Sequence, residues 1–218
     1  MNYSQALSFT FDDPQWVRKI AIGGLIAFLS FYFGLIIFLG FLLIGYYLQV
    51  IRNVSRNEEV PLPDWSDLGK IFLDGILGSI ILFVYVVLIG GIGAIAIVYF
   101  ATHPYIHQAE MVLGIISVSL TMIVAITVLG NLALVQFALT GNFGAAFSFS
   151  VLSDVLKRQG GNLFAITVFS LILNGILLCV GLGIFSPFTN FWGLVVQAHL
   201  FGQLAMHWQP DIETTQSV

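Results

Sequence analysis

Three side chains that could hold a metal ion lie close together near the middle of the chain. His103, His107 and Glu110 follow one another at intervals of four and three residues, which on a helix would place imidazole and carboxylate ligands on one face. Pro104, however, disfavours helical geometry for the preceding histidine. Histidines beside a turn can also serve as polar caps of long apolar helices. We expect this capping role and no metal, and retain these three residues as the candidate metal ligands.

His199 is the candidate for binding a cofactor. It lies in an otherwise apolar stretch together with Gln197, Gln203 and His207. A histidine buried in a membrane can ligate the metal of a haem or related tetrapyrrole. A polar side chain within a membrane span more often bonds to a neighbouring helix, which contributes roughly 1 kcal/mol. We therefore expect no cofactor, with His199 as the residue that would bind one.

No local pattern indicates catalysis. An intramembrane hydrolase needs a serine facing a histidine, or paired aspartates, across helices. Ser79, Ser117, Ser119 and Ser170 all lie in apolar stretches without such a signature. We expect a protein that is not an enzyme and has no catalytic residues. Because Lys and Arg total only seven and the net charge is -4, nucleic acid is not an expected partner.

The composition places these residues in a membrane. Hydrophobic residues make up 58% of the chain and charged residues 8%, against roughly 25% charged in soluble proteins. Residues 20–51 and 159–210 carry no charge, and Glu110 alone is charged within residues 75–153. A bilayer core about 30 Å thick is crossed by roughly 20 apolar helical residues, whose backbone hydrogen bonds are internal. The alternation typical of barrel strands is missing, so an all-α, polytopic transmembrane helical bundle is predicted.

We predict a single integral membrane domain over residues 1–218. Its roughly six hydrophobic segments form two short helical hairpins that flank a longer one. In chain order the parts are an N-terminal interfacial segment (1–16), a hairpin or long span (17–50), a cytoplasmic loop (51–70), two long spans (71–140), an interfacial amphipathic helix (144–158), a hairpin (162–208) and a polar tail (209–218).

Three acidic side chains are assigned to helix starts and surface pairs. Asp13 directly precedes Pro14, an arrangement typical of a helix start. Asp64 is interpreted as the cap of a short surface helix in the loop. Asp74 lies four residues after Lys70, which favours an exposed ion pair on one helix face.

Positive charges predict the topology. A single crossing by residues 17–50 would separate the basic pair at its start from the basic residues that follow it, whereas a hairpin with its apex near Tyr32 to Gly34 brings both groups to one face. Residues 71–140 and 162–208 then each cross the membrane outward and back, so that every Lys and Arg and both termini lie in the cytoplasm. A version with five spans remains open. The residues concerned are Arg18, Lys19, Arg52, Arg56, Lys70, Lys157 and Arg158.

Small residues four positions apart indicate close helix packing. Such packing can occur within one chain or between partners, and the sequence leaves both open. The pairs are Gly23 with Ala27, Gly75 with Ser79, and Gly90 with Ala94.

A set of residues distributed over most of the chain carries a family resemblance. They are Phe11, Asp13, Pro14, Trp16, Lys19, Gly45, Tyr46, Arg52, Leu62, Pro63, Asp64, Trp65, Gly75, Gly141, Phe143, Ala145, Ala146, His199, Gly202 and Gln203. Their order resembles the domain of unknown function 4013 family of prokaryotic multi-pass membrane proteins. The resemblance implies residence in a prokaryotic plasma, or inner, membrane and supplies no catalytic residues.

Two functions are compatible with these expectations. The first is a structural or accessory subunit of a membrane complex, whose partners are membrane lipids and either other membrane protein subunits or a second copy. The alternative is a transporter or permease for a small or lipidic solute, with a cavity lined by Asn131, Asn174 and Gln197.

Overall fold

The computed structural model describes residues 1–33, 36–103 and 107–208, and all regular elements in these ranges are helical. A short 3-10 helix, Phe143–Phe147, joins the fifth α-helix to the sixth. The predicted all-α class is confirmed. The α-helices are α1 (Tyr3–Asp12), α2 (Trp16–Tyr32), α3 (Ile36–Ser55), α4 (Leu68–Thr102), α5 (Gln108–Thr140), α6 (Phe149–Val180) and α7 (Ser186–Met206).

Four of the described helices are long and apolar enough to cross a membrane. They are α3, over Phe38–Ser55, and the whole of α4, α5 and α6. At 1.5 Å per residue, the 35 residues of α4 extend about 52 Å, whereas the hydrocarbon core is about 30 Å thick. The protein is therefore a membrane-embedded helical bundle whose longest helices exceed one bilayer thickness.

The N-terminal apolar stretch is divided into two arms. α2 ends at Tyr32 and α3 begins at Ile36, while Gly34, part of the predicted apex, lies outside the described residues. The Tyr32 hydroxyl donates a 2.7 Å hydrogen bond to the carbonyl oxygen of Gly183, in the connection between α6 and α7. Pro187 follows in the first turn of α7, where its missing N–H has no helical partner to lose. The end of α2 and the connection between α6 and α7 therefore meet at one end of the bundle.

The region predicted as an interfacial helix, residues 144–158, is organised differently. The 3-10 helix covers its beginning, and from Phe149 onward the chain continues as α6 without interruption through Gly160 and Gly161. Each glycine costs only about 1 kcal/mol relative to alanine within a helix, too little to end one without a proline or a cap. The amphipathic pattern places Leu152 and Val155 in the core, and the charged side chains are exposed.

The central element is α7, which contacts α1, α2, α3, α5 and α6. Residues 198–205 of this helix are all buried, including the polar side chains His199 and Gln203. α7 is absent from the four apolar candidate spans because amides, histidine and serine lower its hydropathy. Its position in the bundle explains how these polar groups avoid lipid, since other helices surround them.

Close contact between α3 and α4 depends on two glycines. A Cβ atom added to Gly75 would overlap the carbonyl oxygen of Phe41, and one added to Gly45 would overlap that of Ile71. Gly23 is similarly covered by the ring of Phe191 in α7. Two of the predicted small-residue pairs therefore act inside the chain.

Replacing Gly75 by alanine tests the α3–α4 contact. Alanine is the better helix former by about 1 kcal/mol, yet overpacking against a backbone carbonyl costs about 1–3 kcal/mol or more. We expect Gly75→Ala to lower the thermal unfolding midpoint in detergent. Gly91→Ala is the matched control, because no atom lies within 4 Å of the added Cβ. Equal stability of the two variants would contradict the close approach of α3 and α4.

Candidate functional site

The most concentrated set of polar contacts surrounds a buried lysine at the start of α2. Lys19 is 5% exposed. Its ammonium donates hydrogen bonds of 2.7 Å to the Asp13 carboxylate and 2.8 Å to the carbonyl oxygen of Leu62. A carboxylate oxygen of Asp64 lies 3.3 Å from the same nitrogen. All three ammonium donors therefore have an oxygen to face.

Local structure explains how these groups meet. Asp13 ends α1, and its other carboxylate oxygen accepts a 2.7 Å hydrogen bond from the backbone N–H of Gln15, just before α2 begins. Lys19 lies in the first turn of α2 and projects toward the loop that follows α3. The connection between two helices and a distant loop thus converges on one cation.

Aromatic side chains hold that loop in place. The Trp65 indole N–H donates a 3.0 Å hydrogen bond to the carbonyl oxygen of Lys19, and the Tyr46 hydroxyl donates a 3.1 Å bond to that of Pro63. The rings of Tyr46 and Trp65 stack with centroids 4.4 Å apart. We refer to Asp13, Lys19, Tyr46, Asp64 and Trp65 as the Lys19 cluster.

The Lys19 cluster links separate segments of the chain through ion pairs and hydrogen bonds. Desolvating an ammonium is costly and is offset only when opposite charges and hydrogen bonds surround it. Here two carboxylates and a carbonyl provide those partners. A lysine engaged in this way has no donor left for a substrate.

The expected cap role of Asp64 is wrong. No separate surface helix follows it; the next helix, α4, is capped by Asp67, whose carboxylate accepts a 3.1 Å hydrogen bond from the N–H of Lys70. Asp64 instead faces Lys19. Electrostatic attraction to the buried Lys19 ammonium explains this difference. The spacing of residues within the loop did not indicate it.

A second charged tie joins the ends of three helices. One guanidinium nitrogen of Arg52 donates a 2.8 Å hydrogen bond to Asp74 in α4, and another donates a 2.9 Å bond to the carbonyl oxygen of Ala138 near the end of α5. The expected pairing of Asp74 with Lys70 is therefore wrong. Arg52, in the last turn of α3, satisfies a helix-terminal carbonyl and a carboxylate together, which the planar guanidinium does better than an ammonium.

His199 lies in the packed interior beside α1. Its ring is 4.2 Å from that of Phe9, centroid to centroid, and its Nδ1 is 3.2 Å from the amide nitrogen of Gln203. Gln203 in turn accepts a 2.7 Å hydrogen bond from the N–H of Asn2 and donates a 3.0 Å bond to that residue's carbonyl oxygen. These contacts connect α7 to the start of α1, the interhelical role expected of polar groups in a span.

The three candidate metal ligands lie at helix ends. His103 is the residue after α4, with its ring 4.9 Å from that of Tyr99, and His107 precedes α5. The Glu110 carboxylate accepts a 3.3 Å hydrogen bond from the backbone N–H of His107. Within residues 1–33, 36–103 and 107–208, no three His, Cys, Asp or Glu side chains group in a way that could hold a metal ion.

Two of the three amides expected to line a transport cavity bond within the chain. Asn131 accepts a 2.6 Å hydrogen bond from the Tyr47 hydroxyl, and Asn174 donates one of 2.8 Å to the carbonyl oxygen of Ser170 in its own helix. Gln197 is half-buried in α7. The first two amides are thus engaged in separate contacts, on α3 and on α6.

Sequence reasoning missed the loop partner of Lys19 and the partner of Arg52. One available signal was the position of Lys19, the last charge before the uncharged stretch of residues 20–51. A charge at the entrance to such a stretch requires a counter-charge. The partner could not be named, because Asp64 is 45 positions away in sequence.

Comparison with known proteins gives a family and no activity. The family model described as protein of unknown function (DUF4013) matches residues 28–186. An uncharacterized protein of Methanocaldococcus jannaschii is 29% identical over 123 residues, 55% of this chain and 42% of that protein. The match therefore spans less than half of that relative. No solved structure matches the chain.

Removing the buried ammonium tests the Lys19 cluster. Lys19→Met leaves the Asp13 carboxylate, 4% exposed, without a counter-charge, so we expect a loss of about 3–5 kcal/mol in the free energy of unfolding. Lys70→Met is the matched control, because this lysine is exposed. Combining Lys19→Met with Asp13→Asn should recover part of the loss. Denaturant unfolding in detergent measures all three, and equal stability of the two single variants would contradict the tie.

Proposed function

The chain belongs to the family described as protein of unknown function (DUF4013), and we propose that it acts as a non-enzymatic structural or accessory subunit within a membrane complex. The proposal assigns it no reaction. It rests on a surface of α4, the longest described helix, that the other described residues leave uncovered.

That surface is centred on Gly90. No atom lies within 4 Å of a Cβ added to this glycine, and Ala94, one turn later, is exposed. Phe83, Val87 and Val98 extend the same face of α4 and are 66%, 53% and 58% exposed. We refer to these five residues as the Gly90 face. The Gly90–Ala94 pair therefore differs from the pairs at Gly23 and Gly75, which are occupied inside the chain.

The small residues give the Gly90 face a preference for protein. Lipid tails are as apolar as leucine, so exposed apolar side chains alone do not favour a partner over the bilayer. Small residues one turn apart let a second helix backbone approach closely and gain van der Waals contact. A transmembrane helix of another subunit, or of a second copy, fits that requirement.

The surroundings of the Gly90 face support the same partner. Among the described residues of 86–118, only Gly93 and Gly114 are buried. They are covered by Met122 and Phe100 of the same α4–α5 hairpin. The outer part of this hairpin therefore receives no cover from the other described segments and is free to contact a partner.

The transporter alternative has less support. It requires Asn131, Asn174 and Gln197 to line one cavity, whereas the first two bond to Tyr47 and to Ser170. A lipidic solute would still be compatible with the apolar outer grooves of the bundle. Because those grooves occur on any membrane bundle, they do not favour transport.

We further propose residence in a prokaryotic plasma membrane with both termini in the cytoplasm. The basic residues at the start of α2, the end of α3 and the start of α4 support this orientation. Lys19 lies 3.3 Å from Asp64 and Arg52 lies 2.8 Å from Asp74, so these helix ends belong to one side. Short loops rich in Lys and Arg remain in the cytoplasm.

Enlarging the Gly90 face tests the subunit role. We expect Gly90→Leu to release a partner subunit or second copy that purifies with the wild-type chain in a mild detergent, because the added side chain separates the helix backbones. Native mass spectrometry reports the change against the 23.9 kDa chain. The control is Gly175→Leu, at an exposed helical glycine of α6 that also has no neighbour within 4 Å. A wild-type chain that is always a lone monomer would refute the proposal.

Cysteine labelling tests the orientation. In a Cys179→Ala background, Leu182→Cys places a thiol at a position that is 84% exposed, in the connection before α7. Glu59→Cys places one in the exposed loop after α3. An impermeant maleimide added to intact cells should label the first variant and reach the second only after permeabilisation. Labelling of Glu59→Cys in intact cells would reverse the proposed topology.

A further inference from the structure

A groove of about 570 Å³ opens beside the Lys19 cluster, between α2, α3 and the start of α4. Its volume lies within the range of roughly 300–1,000 Å³ typical of ligand sites. One end is polar and the other is apolar, which distinguishes it from the apolar grooves elsewhere on the bundle. The residues that line it are Gln15, Arg18, Lys19, Ile22, Ile26, Leu42, Asp64, Trp65, Ser66 and Leu68.

The polar end carries a cation that no acidic side chain in the described residues neutralises. Arg18 is exposed and makes no ion pair or hydrogen bond with any part of the chain that the structure describes. The neighbouring Lys19 is different, since Asp13 and Asp64 already match its charge. A free guanidinium suits a phosphate group, because it can donate two parallel hydrogen bonds to it.

The apolar end continues from the same helix face. Arg18, Ile22 and Ile26 follow at intervals of four, so they form a row along α2, with Leu42 of α3 on the opposite wall. From the first to the last member this row extends about 12 Å along the helix. Ile22 and Ile26 are only half-buried, while Gly23 and Gly24 face α7 on another side. An acyl chain that extends from Arg18 along this face would therefore contact apolar side chains. We refer to this row as the apolar track.

The lining of the groove combines residue types found at a membrane interface with apolar helix residues. Trp65 lines it, and indole rings are enriched at membrane interfaces. Ser66 and Asp64 come from the polar loop, whereas Ile26 lies inside an apolar helix. The groove thus passes from polar loop residues to apolar helix residues, which is the order that a lipid headgroup and its acyl chain require.

We propose that this groove binds one phospholipid. The phosphodiester lies against Arg18, and an acyl chain follows Ile22 and Ile26 past Leu42. The Asp64 carboxylate, whose side chain is 63% exposed, accepts a hydrogen bond from an ammonium or hydroxyl group of the lipid headgroup. This site does not depend on the proposed subunit role, since it lies on α2 and α3 and the Gly90 face lies on α4.

Native mass spectrometry of the full chain, delipidated in detergent and titrated with dioleoylphosphatidylethanolamine, tests the proposal. We expect one lipid per chain, and an affinity about tenfold weaker for Arg18→Gln, the change expected from the loss of one charge-assisted contact. Arg56→Gln is the matched control, because it removes an exposed arginine from the neighbouring loop outside the groove. Equal binding by the two variants would overturn the site.

Two further probes separate the phosphate from the acyl chain. Dioleoylglycerol lacks the phosphate, so its affinity for the wild-type chain should not exceed its affinity for the Arg18→Gln variant. Inorganic phosphate lacks the chains and should not displace the lipid. Displacement of the lipid by millimolar phosphate would instead assign the groove to a soluble anion. Ile26→Trp, which fills the apolar track, should weaken phospholipid binding while leaving the unfolding midpoint close to that of wild type, and undiminished binding would overturn the acyl track.

Discussion

A lysine removed from water at the start of α2 must be neutralised by the chain itself, and this requirement organises one end of the bundle. Lys19 draws Asp13 from the end of α1 and Asp64 from the loop after α3. Once the loop is held there, Trp65 can reach the backbone of α2 and stack on Tyr46 of α3. The loop leads into α4, which packs against α3 where Gly45 and Gly75 permit backbone contact. The Lys19 cluster therefore links α1, α2 and α3 to the loop that leads into α4.

The helical class and the membrane setting could be predicted because they depend on local properties. Uncharged stretches longer than 30 residues indicate membrane helices whatever their partners. The break near Tyr32 was predicted from the basic residues on either side of the apolar stretch, and Pro187 is a local signal for the start of α7. In contrast, the partners of Lys19 and Asp74 depend on which helix ends meet in space. Local spacing favoured Lys70 for Asp74, but the three-helix junction provides Arg52 instead.

One further difference has the same origin. Residues 144–158 were expected to form an interfacial helix of their own, yet from Phe149 onward they continue into α6, with Leu152 and Val155 in the core. The polar residues of α7, in contrast, make the interhelical contacts expected of them, since Gln203 bonds to the start of α1. Whether an amphipathic segment joins a core depends on tertiary contacts, which a single segment does not specify.

The length of α4 has a consequence for the lipids around the protein. Its first two turns carry Lys70 and Asp74 and therefore belong in the headgroup region, so the uncharged residues 75–102 are the part that crosses the hydrocarbon. These residues extend about 42 Å at 1.5 Å per residue, which is longer than a core about 30 Å thick. A longer apolar stretch of this kind is accommodated by a lean of the helix or by local thickening of the bilayer, and either response costs a fraction of a kcal/mol per Å of mismatch. The lipids beside α4 are therefore held in a different packing from those around the shorter helices α2 and α3.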